Sequence, residues 1–103
     1  MSIKNIDVMI KNTILPDQCR AARALLNWSQ ADLAERAKVA KQTLADFERG
    51  ARTPYARTLV DIRAALEAAG IEFIAPNGGG AGVRWRENPA KAVADSEGTE
   101  RDA

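Results

Sequence analysis

Residues Ser29 to Gly50, SQADLAERAKVAKQTLADFERG, constrain the fold more than any other stretch, because they read as two short helices joined by a turn too tight for an ordinary connection. Ser29 with Asp32 is a capping-box pattern, which predicts a helix that starts at Gln30 and runs to about Ala37. Lys38, Val39 and Ala40 are left for the turn. The second predicted helix runs from about Lys41 to Arg49 and stops at Gly50, the residue type best able to take a left-handed cap. Leu33, Ala34, Ala37, Val39, Leu44 and Phe47 fall on faces that can meet across the turn, whereas Lys41, Gln42, Ala45 and Asp46 fall outside that set. The second helix is therefore apolar inside and polar outside.

The flanks extend this into a mainly α fold. Pro16 opens a helix through about Asn27, since a first turn tolerates proline, and Ala22, Leu25 and Leu26 mark its inner face. Asn27 is expected to cap it in the left-handed conformation. Thr53 with Pro54 signals a fourth helix, and Leu59, Ile62 and Leu66 keep helical spacing until Ala68, Ala69 and Gly70. Beyond Gly70 the period changes: Ile71 to Ile74 alternates, Pro76 to Gly82 is turn-rich, and Val83 to Arg86 alternates again, which predicts a short C-terminal β-hairpin. A lone hairpin is marginal in water, so it should lie on the helices or pair with another chain's strand. Residues 1–15 carry Ile3, Ile6, Val8, Ile10 and Ile14 among polar residues and fit a short strand or a leader. Residues 87–103 lack aromatics and a periodic apolar face, and are expected to be a disordered acidic tail. The expected organisation is thus 1–15 leader or strand, 16–70 helical domain, 71–86 hairpin and 87–103 tail.

Composition narrows the function classes. A chain of 103 residues that is 46% hydrophobic has room for one domain with a small core. No apolar run reaches the roughly 18 residues that span a bilayer, and the N-terminus lacks the order of a signal peptide, so a cytoplasmic location is expected. One cysteine and no histidine exclude an internal disulfide, a Cys/His zinc site and a histidine-based triad. Cys19 falls on the first helix, where a small buried residue is expected, and no acid/base partner is in view to make its thiol reactive. NGGGAG lies between strands instead of before a helix, which makes it a turn and not a phosphate loop. No enzyme activity, metal or cofactor is expected. Net charge is only +1, yet residues 17–58 carry eight basic against five acidic side chains, and residues 87–103 two against five. The motif is basic and the tail acidic.

The stretch from Trp28 to Gly50 resembles the helix-turn-helix of the lambda-repressor-like family, also called the XRE family, whose pattern is roughly L-S-Q-x-x-L-A-x-x-x-G-V-S-x-x-T-I-x-x-x-E-x-G. The resemblance extends from Asp17 to about Gly70. Two departures stand out. Lys38 holds a turn position usually glycine, where a positive φ costs a lysine about 1 to 2 kcal/mol. Ala40 replaces the usual serine N-cap, at a cost of roughly 0.5 to 2 kcal/mol. The resemblance implies a lambda-repressor-like helical bundle at 16–70 that binds double-stranded DNA and regulates transcription, with helix 3 in the major groove and helix 2 across the backbone. One such helix reads few base pairs, so a homodimer on a roughly palindromic operator is expected. The rival implied by the same fold is an antitoxin-type protein that binds a toxin through hairpin or tail and autoregulates its operon.

Site residues follow position by position. Lys41, Gln42 and Asp46 match the family's base-contacting positions; a lysine can donate to guanine, a glutamine can pair with adenine, and Asp46 can accept from cytosine N4 or repel wrong sequences. Thr43 matches a backbone-contact position. Gln30 opens helix 2, where its amide can reach a phosphate or a neighbouring side chain, and the resemblance implies the phosphate. Arg49, Arg52, Arg57 and Thr58 cluster where they can meet the DNA backbone. Glu48 falls where the family keeps a glutamate paired to an arginine of helix 1, and Arg23 stands at the matching position, which implies a structural ion pair. Trp28, Phe47, Phe73 and Trp85 are core or interface aromatics, and Phe73, Val83 and Trp85 are the expected dimerisation residues.

Overall fold

The computed structural model describes residues 13–87. Four helices, α1 (Pro16–Leu26), α2 (Gln30–Ala37), α3 (Lys41–Glu48) and α4 (Ala56–Ala68), are followed by strands β1 (Ile71–Ile74) and β2 (Gly82–Trp85). No helix among the described residues is long and apolar enough to cross a membrane. Ile14, from the expected leader, is buried in the core; the rest of that segment up to residue 12, and the tail after Glu87, lie outside the described residues.

The first three helices end the same way. Each is followed by a residue at positive φ: Asn27 (60°), Lys38 (60°) and Gly50 (76°). In each case that residue's N–H returns to the carbonyl three back, and the next N–H to the carbonyl five back: Asn27 to Ala24 and Trp28 to Arg23, Lys38 to Glu35 and Val39 to Ala34, Gly50 to Phe47 and Ala51 to Asp46. This is the Schellman arrangement, which satisfies carbonyls that a helix end leaves unpaired. Repeating it turns the chain sharply three times and stacks α1, α2 and α3 around one core.

That core is built from Cys19, Leu33, Leu44, Ile62, Leu66 and Ile71, all fully buried, with Ala22, Ala37 and Phe47 between them. The residues assigned to the inner faces of α2 and α3 are buried or packed against this cluster, and Lys41 and Gln42 are exposed.

Helix α1 ends one residue short of Asn27 and β2 is shifted one residue earlier than expected, to Gly82–Trp85; two further helix boundaries also differ. Helix α3 stops at Glu48, with Arg49 already outside helical geometry (ψ 6°). Helix α4 starts at Ala56, with Tyr55 as its extended N-cap. Thr53 is thus not the cap, and Pro54 is buried in the connection instead of opening the helix.

The hairpin pairs Ile71 with Trp85, Glu72 with Arg84, Phe73 with Val83 and Ile74 with Gly82, antiparallel. Ile71, Phe73, Val83 and Trp85 share one face and pack on the core. Glu72 and Arg84 occupy the other face as a cross-strand ion pair at 3.2 Å. Arg86 N–H donates to Gly70 O at 2.8 Å and extends the ladder by one pair. Gly70 sits at φ 110° with the Trp85 ring 3.6 Å from where a Cβ would lie, so the turn into β1 uses its freedom. Gln18 on α1 donates to Gly82 O at 3.0 Å, and Arg63 on α4 donates to Thr13 O at 2.7 Å with its guanidinium 4.8 Å from the Phe73 ring centre. The Gln18 hydrogen bond thus fixes the hairpin on α1, and the Arg63–Phe73 cation–π contact fixes it on α4, alongside apolar packing.

Candidate nucleic-acid interface

Helix α2 is set by its capping box: Ser29 Oγ accepts from Asp32 N–H, and Asp32 Oδ2 accepts from Ser29 N–H, both at 3.0 Å. Hydrogen bonding from Ser29, its backbone N–H first, holds the Asp32 carboxyl below its ordinary pKa. Arg36 lies over the Trp28 ring, 4.4 Å from its centre, so the aromatic before the cap is covered by the helix it precedes.

Beneath the two motif helices sits Glu48, only 2% exposed. Arg23 grips it with two bonds, Nε to Oε2 at 2.8 Å and a terminal nitrogen to Oε1 at 2.7 Å. Cys19 Sγ donates to Oε2 at 3.0 Å and Gln30 Nε2 to Oε1 at 2.9 Å. Arg23 also donates to Trp28 O at 3.1 Å, and Arg20 donates to the Glu48 carbonyl. One carboxylate thus ties α1, α2 and α3 together. Burial pushes its pKa up, but the bonds from Arg23, Cys19 and Gln30 outweigh that and hold it below the ordinary value. Burial, then the bond to Glu48, pushes the Cys19 thiol pKa far up, which keeps it protonated as a donor. No buried side-chain nitrogen or oxygen lacks a partner among the described residues.

Gln30 accordingly spends one amide N–H inside the protein, a contact that its position at the start of α2 does not reveal. Thr43, Arg52 and Thr58 come together around an open notch beside α3, with Thr53, Pro54 and Tyr55 completing the wall. Tyr55 is 88% exposed on that wall, and its only signal in the sequence is an aromatic directly after Thr-Pro. Arg57 is exposed on the first turn of α4, outside that notch. Along α3, Lys41 and Gln42 project to solvent, while Asp46 accepts from Gln42 Nε2 at 2.9 Å and from Arg49 at 3.0 Å. Phe73, Val83 and Trp85 are turned to this chain's own core.

Residues 20–71 match the helix-turn-helix family model, half of the chain and the whole of the motif. The chain belongs to the lambda-repressor-like, or XRE, family. It is a DNA-binding regulator in general kind. A search of curated proteins finds no match. The lambda-repressor-like match ends at Ile71, so the hairpin beyond that residue lies outside the matched part.

Proposed function

We propose that the chain is a sequence-specific, double-stranded DNA-binding transcriptional regulator that works in the cytoplasm as a homodimer on a roughly palindromic operator. The observation that carries this reading is the pair of α2 and α3, locked from beneath by Glu48, with Lys41 and Gln42 exposed on the outer side of α3. In this reading α3 enters the major groove with Lys41, Gln42 and Asp46 as its reading face. Thr43, Arg49, Arg52, Arg57 and Thr58 meet the backbone, and Gln30 offers a phosphate its remaining amide N–H.

A dimer supplies the second half-site. The inner face of the hairpin is taken by core packing, which leaves its edge as the pairing surface. Alternation from the Arg86–Gly70 bond makes 72↔84 and 74↔82 the hydrogen-bonded pairs, so Val83 and Trp85 direct their N–H and C=O groups outward from β2. Such an edge can pair with its symmetry mate. The antitoxin reading shares the DNA contact but needs, beyond the α2–α3 pair, a toxin surface on hairpin or tail, so the regulator reading is preferred.

Selection of bound sites from random duplex DNA tests the proposal. The expected result is a two-fold symmetric motif with half-sites about one helical turn apart, near 34 Å. Recovery of no enriched motif sinks it.

A further inference from the structure

We propose that Asp46 is a positioning residue that orients the Gln42 amide, so that α3 presents a single, fixed acceptor–donor edge suited to adenine. The inference rests on the reading role of α3 proposed above and narrows the part Asp46 plays in it.

Gln42 and Asp46 stand one turn apart on α3, where side chains of an i, i+4 pair meet. Gln42 Nε2 donates to Asp46 Oδ1 at 2.9 Å, and Arg49 donates to the same oxygen at 3.0 Å. The Asp46 side chain is 16% exposed, whereas Gln42 is open to solvent. The Gln42 bond chiefly, and beyond it the Arg49 bond and the Arg49 and Arg52 charges, outweigh desolvation and hold the Asp46 carboxyl below its ordinary pKa.

An ionised carboxylate only accepts, so the amide must turn its nitrogen toward Asp46 and its oxygen away. This removes the ambiguity a free glutamine carries. An unrestrained amide can turn over, offering only donors to guanine N7 and O6 as readily as an oxygen and an N–H to adenine N6 and N7. With one N–H held by Asp46, the oxygen and the N–H beside it remain, which is the adenine pairing. Lys41, which carries donors alone, complements this by suiting guanine.

Site selection from random duplex DNA with the full chain tests the proposal in four arms: wild type, Gln42→Ala, Asp46→Ala and Asp46→Asn. Gln42→Ala marks the base pair that Gln42 reads. Asp46→Ala is expected to act at that same base pair, lowering the preference for adenine over guanine by about tenfold. Asp46→Asn, whose carbonyl can still accept from Gln42, should recover most of that preference. A change by Asp46→Ala at a base pair that Gln42→Ala leaves untouched means that Asp46 reads a base itself, and overturns the proposal. An unchanged motif overturns it too, as does an Asp46→Asn variant that behaves like Asp46→Ala. A wild-type chain that enriches no motif overturns it together with the reading beneath it.

Discussion

Glu48 joins three helices through one side chain, because donors from α1 and α2 converge on its buried carboxylate at the end of α3. Glu48→Gln removes the charge while Arg23 stays mostly covered, and should cost about 3 kcal/mol of stability, measured by urea unfolding. The pH dependence has a definite sign. A carboxyl whose folded pKa lies below the unfolded value binds fewer protons when folded, so its stabilisation is complete above the ordinary value of 4.5 and is lost as pH falls through the depressed folded value. Unfolding free energies between pH 7 and 3 should therefore fall with acid more steeply in wild type than in Glu48→Gln; equal slopes would contradict the network. The Arg23 partnership was implied by the family pattern alone. The Cys19 and Gln30 bonds were not legible, since they join residues 29 and 18 positions from Glu48 and depend on how the helices pack.

Helix ends show the opposite balance, because they are written in a few adjacent residues. The Ser29–Asp32 box and the left-handed Asn27 and Gly50 follow from local chemistry, and the structure has all three. Lys38 takes the same left-handed geometry at φ 60° without glycine's freedom. Lys38→Gly should thus stabilise the chain by about 1 kcal/mol, offset in part by glycine's added freedom when unfolded. A gain of this size raises Tm by about 4 °C or more in a domain of this length. Ala40 caps α3 with no side-chain bond, at φ −67° and ψ 138°. Ala40→Ser should add about 1 kcal/mol by supplying the missing acceptor. A calorimetric scan that finds both variants at or below the wild-type Tm would contradict this account of the turn. The start of α4 escaped local reading because Thr53-Pro54 mimics a helix opening, while burial of Pro54 delays the helix to Ala56.

At the scale of the whole molecule, alternation along the hairpin separates two faces but does not say which one is covered. Phe73, Val83 and Trp85 face this chain's own helices, and Gln18 and Arg63 fix the hairpin there, so the proposed dimer uses the β2 edge and not that face. Val83→Pro deletes an outward N–H and should shift the protein to monomer in sedimentation equilibrium, whereas Val83→Ala, which keeps that N–H, should remain a dimer. Equal dimerisation of the two variants would remove the edge from the interface. The DNA-reading role of α3 is the central claim, and competition titration at one salt concentration tests it most directly. Wild type should prefer its selected operator over a shuffled duplex by about a thousandfold or more. The Lys41→Ala, Gln42→Ala double variant should lose on the order of a hundredfold of that ratio. An operator preference that survives the double substitution intact would show that α3 is not the reader.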